Sequence, residues 1–275
     1  MKRLKVYIRS FFNQSFAAPR CLLCRQSSQR SMPLCRGCEQ DLPWLNSYCQ
    51  HCAEPLPEAL NLPIGRRSDP RDKALLTCGH CLKQPPAFTR TYAPLRYEFP
   101  IDLLIRRFKH RPEHHSIELL SELFVQHQAL ALRQQTPQRQ STPQQLIPVP
   151  LHRNRLHQRG FNQSLELAHC ISQRLGIPVN DKACSRQLDT PHQQGLSAKQ
   201  RRRNLRHAFR VSRDYLDRTG PYQHVALIDD VMTTGSTAQI LAVQLRRAGV
   251  ERVDIWCLAR TPAGRHAASS LPHQK

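Results

Sequence analysis

Eight of the eleven cysteines fall in four Cys-x-x-Cys pairs, Cys21/Cys24, Cys35/Cys38, Cys49/Cys52 and Cys78/Cys81. Two thiolates held across a two-residue turn grip one side of a tetrahedral zinc ion, and a second pair from another turn completes the shell. Four pairs therefore fill two four-cysteine sites with nothing left over. Sites closed by four sulfurs leave no open position, so these zincs are read as structural. The simplest ligand assignment is sequential, the first two pairs on one metal and the last two on the other, and the spacing also permits interleaved pairing. A disulfide framework would require an oxidising compartment. The basic N-terminus Met1-Lys-Arg-Leu-Lys-Val-Tyr-Ile-Arg-Ser10 has no apolar core or small-residue cleavage site after it, so a cytoplasmic location with reduced, metal-binding thiols is expected. No strand–helix context surrounds any pair, which argues against thioredoxin-like redox chemistry. Cys170, Cys184 and Cys257 stand alone and are expected to pack as small hydrophobes.

Charge sets the class of partner. Lys plus Arg total 41 against 20 acidic residues, a formal charge of +21, which favours anionic ligands. No apolar run approaches the roughly 18–20 residues of a membrane span, so no integral membrane segment is expected.

Periodicity divides the chain into 1–86, a basic N-terminal helix and a double zinc ribbon, and 87–275, an α/β domain, with Pro85-Pro86 at the boundary. Residues 1–16 carry Leu4, Ile8, Phe11 and Phe12 at helical spacing among Lys2, Arg3, Lys5 and Arg9, a basic amphipathic helix that docks on the protein or on an anionic surface. Pro55 to Asp72 reads as a loop grown between two metal knuckles. Behind the boundary, strands are predicted over 88–95, 146–149, 225–228 and 252–259, and helices over 101–109, 117–132, 162–175 and 237–248. Residues 133–145 read as loop, 188–206 as polar and basic, and the last ten or so as frayed. Strand, helix, strand at the C-terminal end implies a right-handed crossover in a parallel sheet.

The most informative stretch is Val225-Ala-Leu-Ile-Asp229-Asp230-Val-Met-Thr233-Thr234-Gly235-Ser236-Thr237. Four apolar residues make a buried parallel strand, and two carboxylates sit at its C-terminal end, where open α/β sheets bind ligands. The hydroxyl-rich loop then opens onto a helix, whose free N–H groups join the hydroxyls as a phosphate cradle. Gly235 lets the backbone close around an anion. A phosphate there leaves Asp229 and Asp230 within reach of an attached sugar's hydroxyls, or of a metal ion bridging to them. A P-loop ATPase is excluded, since Gly-x-x-x-x-Gly-Lys-Ser/Thr does not occur.

These thirteen residues resemble the phosphoribosyl-pyrophosphate (PRPP) signature of type I phosphoribosyltransferases. The wider pattern resembles the ComF/GntX family of competence-associated proteins: Cys-x-x-Cys repeats, Arg106-Arg-Phe-Lys109, Pro148-Val-Pro-Leu-His152, Arg159-Gly-Phe-Asn-Gln163, Asn204-Leu-Arg-His-Ala-Phe209 and the PRPP loop, in that order. The resemblance implies a type I phosphoribosyltransferase-like parallel sheet with flanking helices behind a small Cys-rich zinc-ribbon domain. It implies that Asp229 and Asp230 face the ribose, that Thr233, Thr234, Gly235, Ser236 and Thr237 hold the 5′-phosphate, and that Mg²⁺ accompanies PRPP. The loop after strand 146–149, with His152, Arg153 and Arg155, falls where such proteins bind pyrophosphate. Arg159, Asn162 and Lys109 are expected nearby.

A binding loop is not yet a reaction. No base-recognition signature is readable, and an amidotransferase would need a glutaminase domain, often with an N-terminal Cys nucleophile, whereas residue 1 here is Met and the early cysteines are committed to metal. The expected function is PRPP binding in DNA uptake and utilisation, with single-stranded DNA as a second ligand and the uptake machinery or a helicase as a partner. An active transferase with an unidentified acceptor and a PRPP sensor without turnover are the alternatives. Nucleic-acid candidates are Arg106, Arg107, Lys109, Arg201, Arg202, Arg203 and Arg206, in clusters suited to tracking phosphates. Phe108, Phe161 and Phe209 lie beside basic residues but are expected to pack in the core.

Overall fold

The computed structural model describes residues 19–57, 76–110, 114–133, 142–188, 208–212 and 223–263. The expected N-terminal amphipathic helix, most of the loop between the knuckles and the Arg201–Arg206 cluster lie outside them. The chain forms two compact units, 1–42 and 43–275. Compactness therefore divides the Cys-rich segment between its second and third Cys pairs, and the later half of that segment belongs to the same unit as the sheet.

The described residues of the first unit form a metal-ribbon half with few large buried apolar side chains. Cys21–Cys24 forms a turn in which Arg25 donates its N–H to the Cys21 carbonyl at 2.9 Å, with Arg25 at φ 64°. Cys35 then caps α1 (Arg36–Gln40), its sulfur accepting from the Cys38 N–H at 3.5 Å. Leu34 and Leu42 are the larger buried side chains here.

The second unit repeats that device. Ala53 donates to the Cys49 carbonyl at 2.8 Å with φ 53°, and Cys78 precedes α2 (Gly79–Lys83). A turn followed by a helical turn is thus used twice, an internal repeat of structure beyond the Cys spacing.

Five strands make the parallel sheet: β1 (Arg90–Tyr92), β2 (Leu95–Arg96), β3 (Gln145–Pro148), β6 (His224–Met232) and β7 (Arg252–Arg260). The order is β1-β7-β6-β3, with β2 continuing beside β7. Strand 88–95 is thus broken in two, while 225–228 extends to nine residues. Helices α3 (Ile101–His110), α4 (His114–Arg133), α6 (Gln163–Leu175) and α7 (Ser236–Arg247) flank it. Period-two alternation sorts the core. Val225, Leu227, Val253, Ile255 and Cys257 pack with Ala238, Leu241 and Leu245 of α7. On the opposite face Trp256 meets Phe124 of α4 at 5.6 Å between ring centroids.

Two elements were not expected. Residues 153–159 form a short helix, α5, where a loop is predicted, because His152 supplies an N-cap: its Nδ1 accepts from the Asn154 N–H at 3.2 Å. Gly160, at φ 78°, ends it. An antiparallel pair, β4 (Cys184–Arg186) with β5 (Phe209–Val211), buries Cys184 and Phe209 outside the main sheet. The solitary Cys184 and Cys257 are both buried.

Candidate functional site

The parallel ladder brings the candidate residues to one end of the sheet. Pro148 of β3 pairs with Ile228 of β6, and Val149 donates its N–H to the Ile228 carbonyl at 2.9 Å. The C-terminal ends of the two strands therefore lie side by side. Asp229 and Asp230 follow on β6, and the chain after β3 loops out through α5 and returns at Asn162. Asn162 closes the neck of that excursion, its Nδ2 donating to the Val149 carbonyl at 3.1 Å while its Oδ1 caps α6 through the Ser164 N–H. His152, Arg153, Arg155 and Arg159 are thereby carried on the excursion that departs from the end of β3, the strand paired with β6. Arg153 and Arg159 are exposed and Arg155 is half-buried.

The two carboxylates are held differently. Asp229 Oδ1 accepts from Ser164 Oγ at 3.1 Å and from the Asp230 N–H at 2.9 Å. Asp230 Oδ2 pairs with Lys109 Nζ at 2.9 Å, and its Oδ1 accepts from the Val231 N–H at 2.7 Å. Lys109 also lies 5.8 Å from the centre of the Tyr97 ring. Burial, with the Asp230 charge next to it, raises Asp229 from an ordinary 3.8 to about 7, against the opposing pull of the Asp230 N–H, Lys109 and Ser164. Near neutral pH the Asp229 carboxyl is therefore poised between its two forms.

The loop that follows supplies donors. Asp229, Val231 and the whole run from Met232 to Ala238 line a cleft together with Val149, Leu227 and Ile255. Thr234 Oγ1 and Ser236 Oγ lie 2.9 Å apart, so their hydroxyls act as a pair. Gly235 sits at φ 74° as the N-cap of α7. The Ser236 N–H donates to Thr234 Oγ1 at 3.4 Å, and the first turn of that helix carries the positive end of its dipole. A Cβ on Gly235 would fall 2.6 Å from Met232 Cε. Gly235→Ala is therefore expected to destabilise the fold by about 1–2 kcal/mol from left-handed strain alone. It should also weaken anion binding, as urea titration and calorimetry on the same variant would report.

Cysteine sulfurs form two groups, Cys21/Cys24/Cys35/Cys38 and Cys49/Cys52/Cys78/Cys81, each with all sulfurs within 4.8 Å of one another. The grouping is sequential. A tetrahedron of zinc–sulfur bonds near 2.3 Å has edges of about 3.8 Å, and Cys24–Cys35 and Cys52–Cys78 measure 3.8 and 3.7 Å. In the second group the hydrogen bond from Cys52 holds Cys49 down at about 4, whereas burial pushes Cys81 up to about 12. Without a cation such a cluster sustains one thiolate against its neighbours; a divalent soft-ligand metal removes that conflict. The donor set fits zinc.

Of the nucleic-acid candidates, Arg106 and Arg107 are exposed on α3, and Arg106 lies 3.3 Å from Asp102. Lys109 is committed to Asp230. Phe108 and Phe209 are buried core residues, and Phe161 packs toward Phe108 at 6.2 Å. Sequence reasoning missed Ser164, which touches Asp229, and Gln163, whose Nε2 donates to the Lys109 carbonyl at 3.2 Å. Gln163 closes the Arg159-Gly-Phe-Asn-Gln segment, so the segment itself was the available signal. Arg260 and Glu54, far apart in sequence and near the loop in space, gave none.

A parallel α/β sheet with paired carboxylates and a hydroxyl-glycine loop at the C-terminal end of β6, preceded by two four-cysteine clusters, defines the class: a parallel-sheet α/β protein with an N-terminal double zinc ribbon. The family model for the double zinc ribbon domain matches residues 14–82. The chain is 36% identical over 245 residues to competence protein F of Haemophilus influenzae, a span of 88% of this chain and 96% of that protein. It is 33% identical over 248 residues to the DNA utilization protein YhgH of Salmonella typhi, again 88% of this chain and 96% of the relative. The chain belongs to the competence protein F family. Among solved structures, Leishmania donovani UMP synthase aligns with a TM-score of 0.32 and 19% identity over 60% of this chain and 26% of that one. A purine phosphoribosyltransferase from Pyrococcus horikoshii aligns with a TM-score of 0.26 and 17% identity over 59% and 74%. No helix among the described residues is long and apolar enough to cross a membrane.

Proposed function

We propose that the chain binds PRPP at the C-terminal end of β6 and uses that site in the handling of incoming DNA. One observation carries the reading: the Asp229/Asp230 pair and the Thr233–Thr237 loop sit at the C-terminal end of β6, paired with the end of β3 from which the Arg-bearing excursion departs. A sugar bearing phosphate at one end and diphosphate at the other presents three features to such a site. The 5′-phosphate suits the hydroxyls and helix start of α7, the ribose hydroxyls suit the two carboxylates, and the diphosphate suits Arg153, Arg155 and Arg159. Mg²⁺ bound with the diphosphate would offset its charge. The role in DNA utilisation rests on the names of the relatives.

Single-stranded DNA is the second proposed ligand, supported by exposed arginines on α3 and α5. The basic cluster Arg201, Arg202, Arg203 and Arg206 belongs to this proposal by sequence alone. A partner from the uptake machinery or a helicase, and a cytoplasmic setting in which the cysteines stay reduced, complete it.

The test is incubation with PRPP, Mg²⁺ and a panel of nucleobases, amines and single-stranded DNA, following pyrophosphate release. Release that depends on one acceptor identifies a transferase. Binding of PRPP and DNA without release identifies a sensor or uptake factor. Absence of PRPP binding by calorimetry overturns the reading.

A further inference from the structure

Arg260 ends β7 with its side chain almost wholly buried, at 6% exposure. Its Nε donates to the carbonyl of Cys52 at 2.8 Å, and its Nη2 donates to Glu54 Oε2 at 2.6 Å. Its Nη1 faces the carbonyls of Met232, at 3.3 Å, and of Thr233 and Thr261. Glu54 uses its other oxygen to accept the Ala263 N–H at 2.8 Å. One planar guanidinium thus joins a member of the second four-cysteine cluster to the two carbonyls where β6 becomes the anion loop.

Those carbonyls matter because of what stands opposite them. The Met232–Thr233 and Thr233–Thr234 peptides are trans, since the cis bond recorded in the chain is Phe99–Pro100. In a planar trans peptide the N–H points opposite to the C=O. Turning the carbonyls of Met232 and Thr233 toward Arg260 therefore turns the N–H groups of Thr233 and Thr234 away from it. Both threonines line the cleft and Arg260 does not. The Met232 carbonyl also accepts the Thr261 N–H at 3.0 Å, whereas for the Thr233 carbonyl, beyond the end of β6, the guanidinium is the partner that turns the Thr234 N–H toward the cleft.

Further bonds fasten the second knuckle to the sheet and to α7. Thr91 of β1 donates its N–H to the Gln50 carbonyl at 3.1 Å, and His51 Nδ1 lies 2.9 Å from the Thr89 carbonyl. Gln239, in the first turn of α7, accepts the Ala87 N–H at 2.8 Å. The end of the Cys-rich segment is held by the same helix that opens from the loop.

We propose that Arg260 is the positioning residue of the anion loop, and that through Cys52 and Glu54 it makes the loop's donor geometry depend on the second four-cysteine cluster. This rests on the reading of the loop as a phosphate cradle. The role is geometric. Lysine would keep the charge but could not reproduce the planar fork that serves five acceptors.

The variants Arg260→Lys and Glu54→Gln separate geometry from charge. In the full-length zinc-loaded protein, each should weaken binding of ribose 5-phosphate and of PRPP with Mg²⁺ by about tenfold, the scale of a lost charge-assisted hydrogen bond. Each should also speed amide exchange at Thr233–Ser236 without ligand while keeping the metal content of the wild type. A purely electrostatic role for Arg260 predicts the opposite sign for Glu54→Gln, because removing a negative charge would tighten anion binding. Cys78→Ser, which leaves every contact of Arg260 in place but damages the second cluster, should show the same faster exchange. If Arg260→Lys does not fold, Glu54→Gln decides by its sign. Wild type that binds, beside folded variants that bind as well and exchange no faster, overturns this inference alone. Wild type that binds neither ligand overturns the phosphate reading and this inference with it.

Discussion

Asp229→Ala combined with Asp230→Ala is expected to abolish the proposed PRPP binding while the sheet stays folded. Asp230 removes the acceptor that fixes Lys109, and Asp229 removes the acceptor of Ser164 and of its own neighbour's N–H. Lys109 keeps about a quarter of its side chain exposed, so its ammonium can turn to water when its partner is lost. Asp229 is already disfavoured as an ion by burial, and its loss releases that conflict. The single variant Asp229→Asn tests the electrostatics more finely. A carboxyl raised to about 7 contributes stability that is complete below its ordinary 3.8 and is lost as pH rises through 7. Accepting hydroxyl donors from a ribose favours the ionised form, so affinity should climb between pH 6 and 8, an increase that Asp229→Asn should blunt. The phosphate groups of PRPP titrate in both proteins, which makes the difference between their pH profiles the informative quantity. Calorimetry across that range reads it, and unchanged affinity in the double variant would sink the assignment.

Local patterns carried much of this. The run Val225–Ile228 announced a buried strand, Gly176 announced the end of α6, and the hydroxyl-glycine loop announced the start of α7, because each is decided within a few residues. The Cys pairs announced their own chemistry for the same reason. What stayed hidden depends on distance in space without a sequence rule. Nothing in Arg260 distinguishes it from the other basic residues until β7 is laid beside β6 and the second knuckle is laid over both. Ser164 is an ordinary N-terminal helix residue until the end of β6 arrives beside it. The α5 helix was hidden differently: its cap is a histidine, outside the usual Ser, Thr, Asp and Asn, so Leu151–Arg155 reads as loop. The antiparallel pair β4–β5 was hidden by length, since three-residue strands carry too little alternation to recognise. The division of the Cys-rich segment follows the same logic. Leu45, Ala53 and Phe88 are short apolar insertions in a polar stretch, yet they join the core that includes α7 and β7, and no local signal says so.

Removing metal is expected to act on the two clusters in sequence. The sulfurs of the first group belong to one buried, one exposed and two half-buried cysteines, whereas the second group has two buried and two half-buried. Cys24, the exposed ligand, gives a chelator its point of entry. Among the described residues of the first unit Leu34 and Leu42 are the larger buried side chains, while a structural zinc contributes on the order of 10–16 kcal/mol. The second group is tied into the sheet by Gln50, His51 and the Arg260–Glu54 pair. Full-length protein should carry two zinc ions, as the two four-sulfur groups require. Under a chelator in reducing buffer it should release them in two phases. The first phase should coincide with loss of amide protection in residues 19–42 and leave β6 and β7 protected. The second should coincide with faster exchange at Thr233–Ser236, because the knuckle that holds Arg260 has then lost its anchor. Colorimetric zinc release run alongside hydrogen-exchange mass spectrometry gives both curves. A protein isolated without zinc from reducing, chelator-free buffer would refute the metal assignment, and release in one phase with every segment opening together would refute the order.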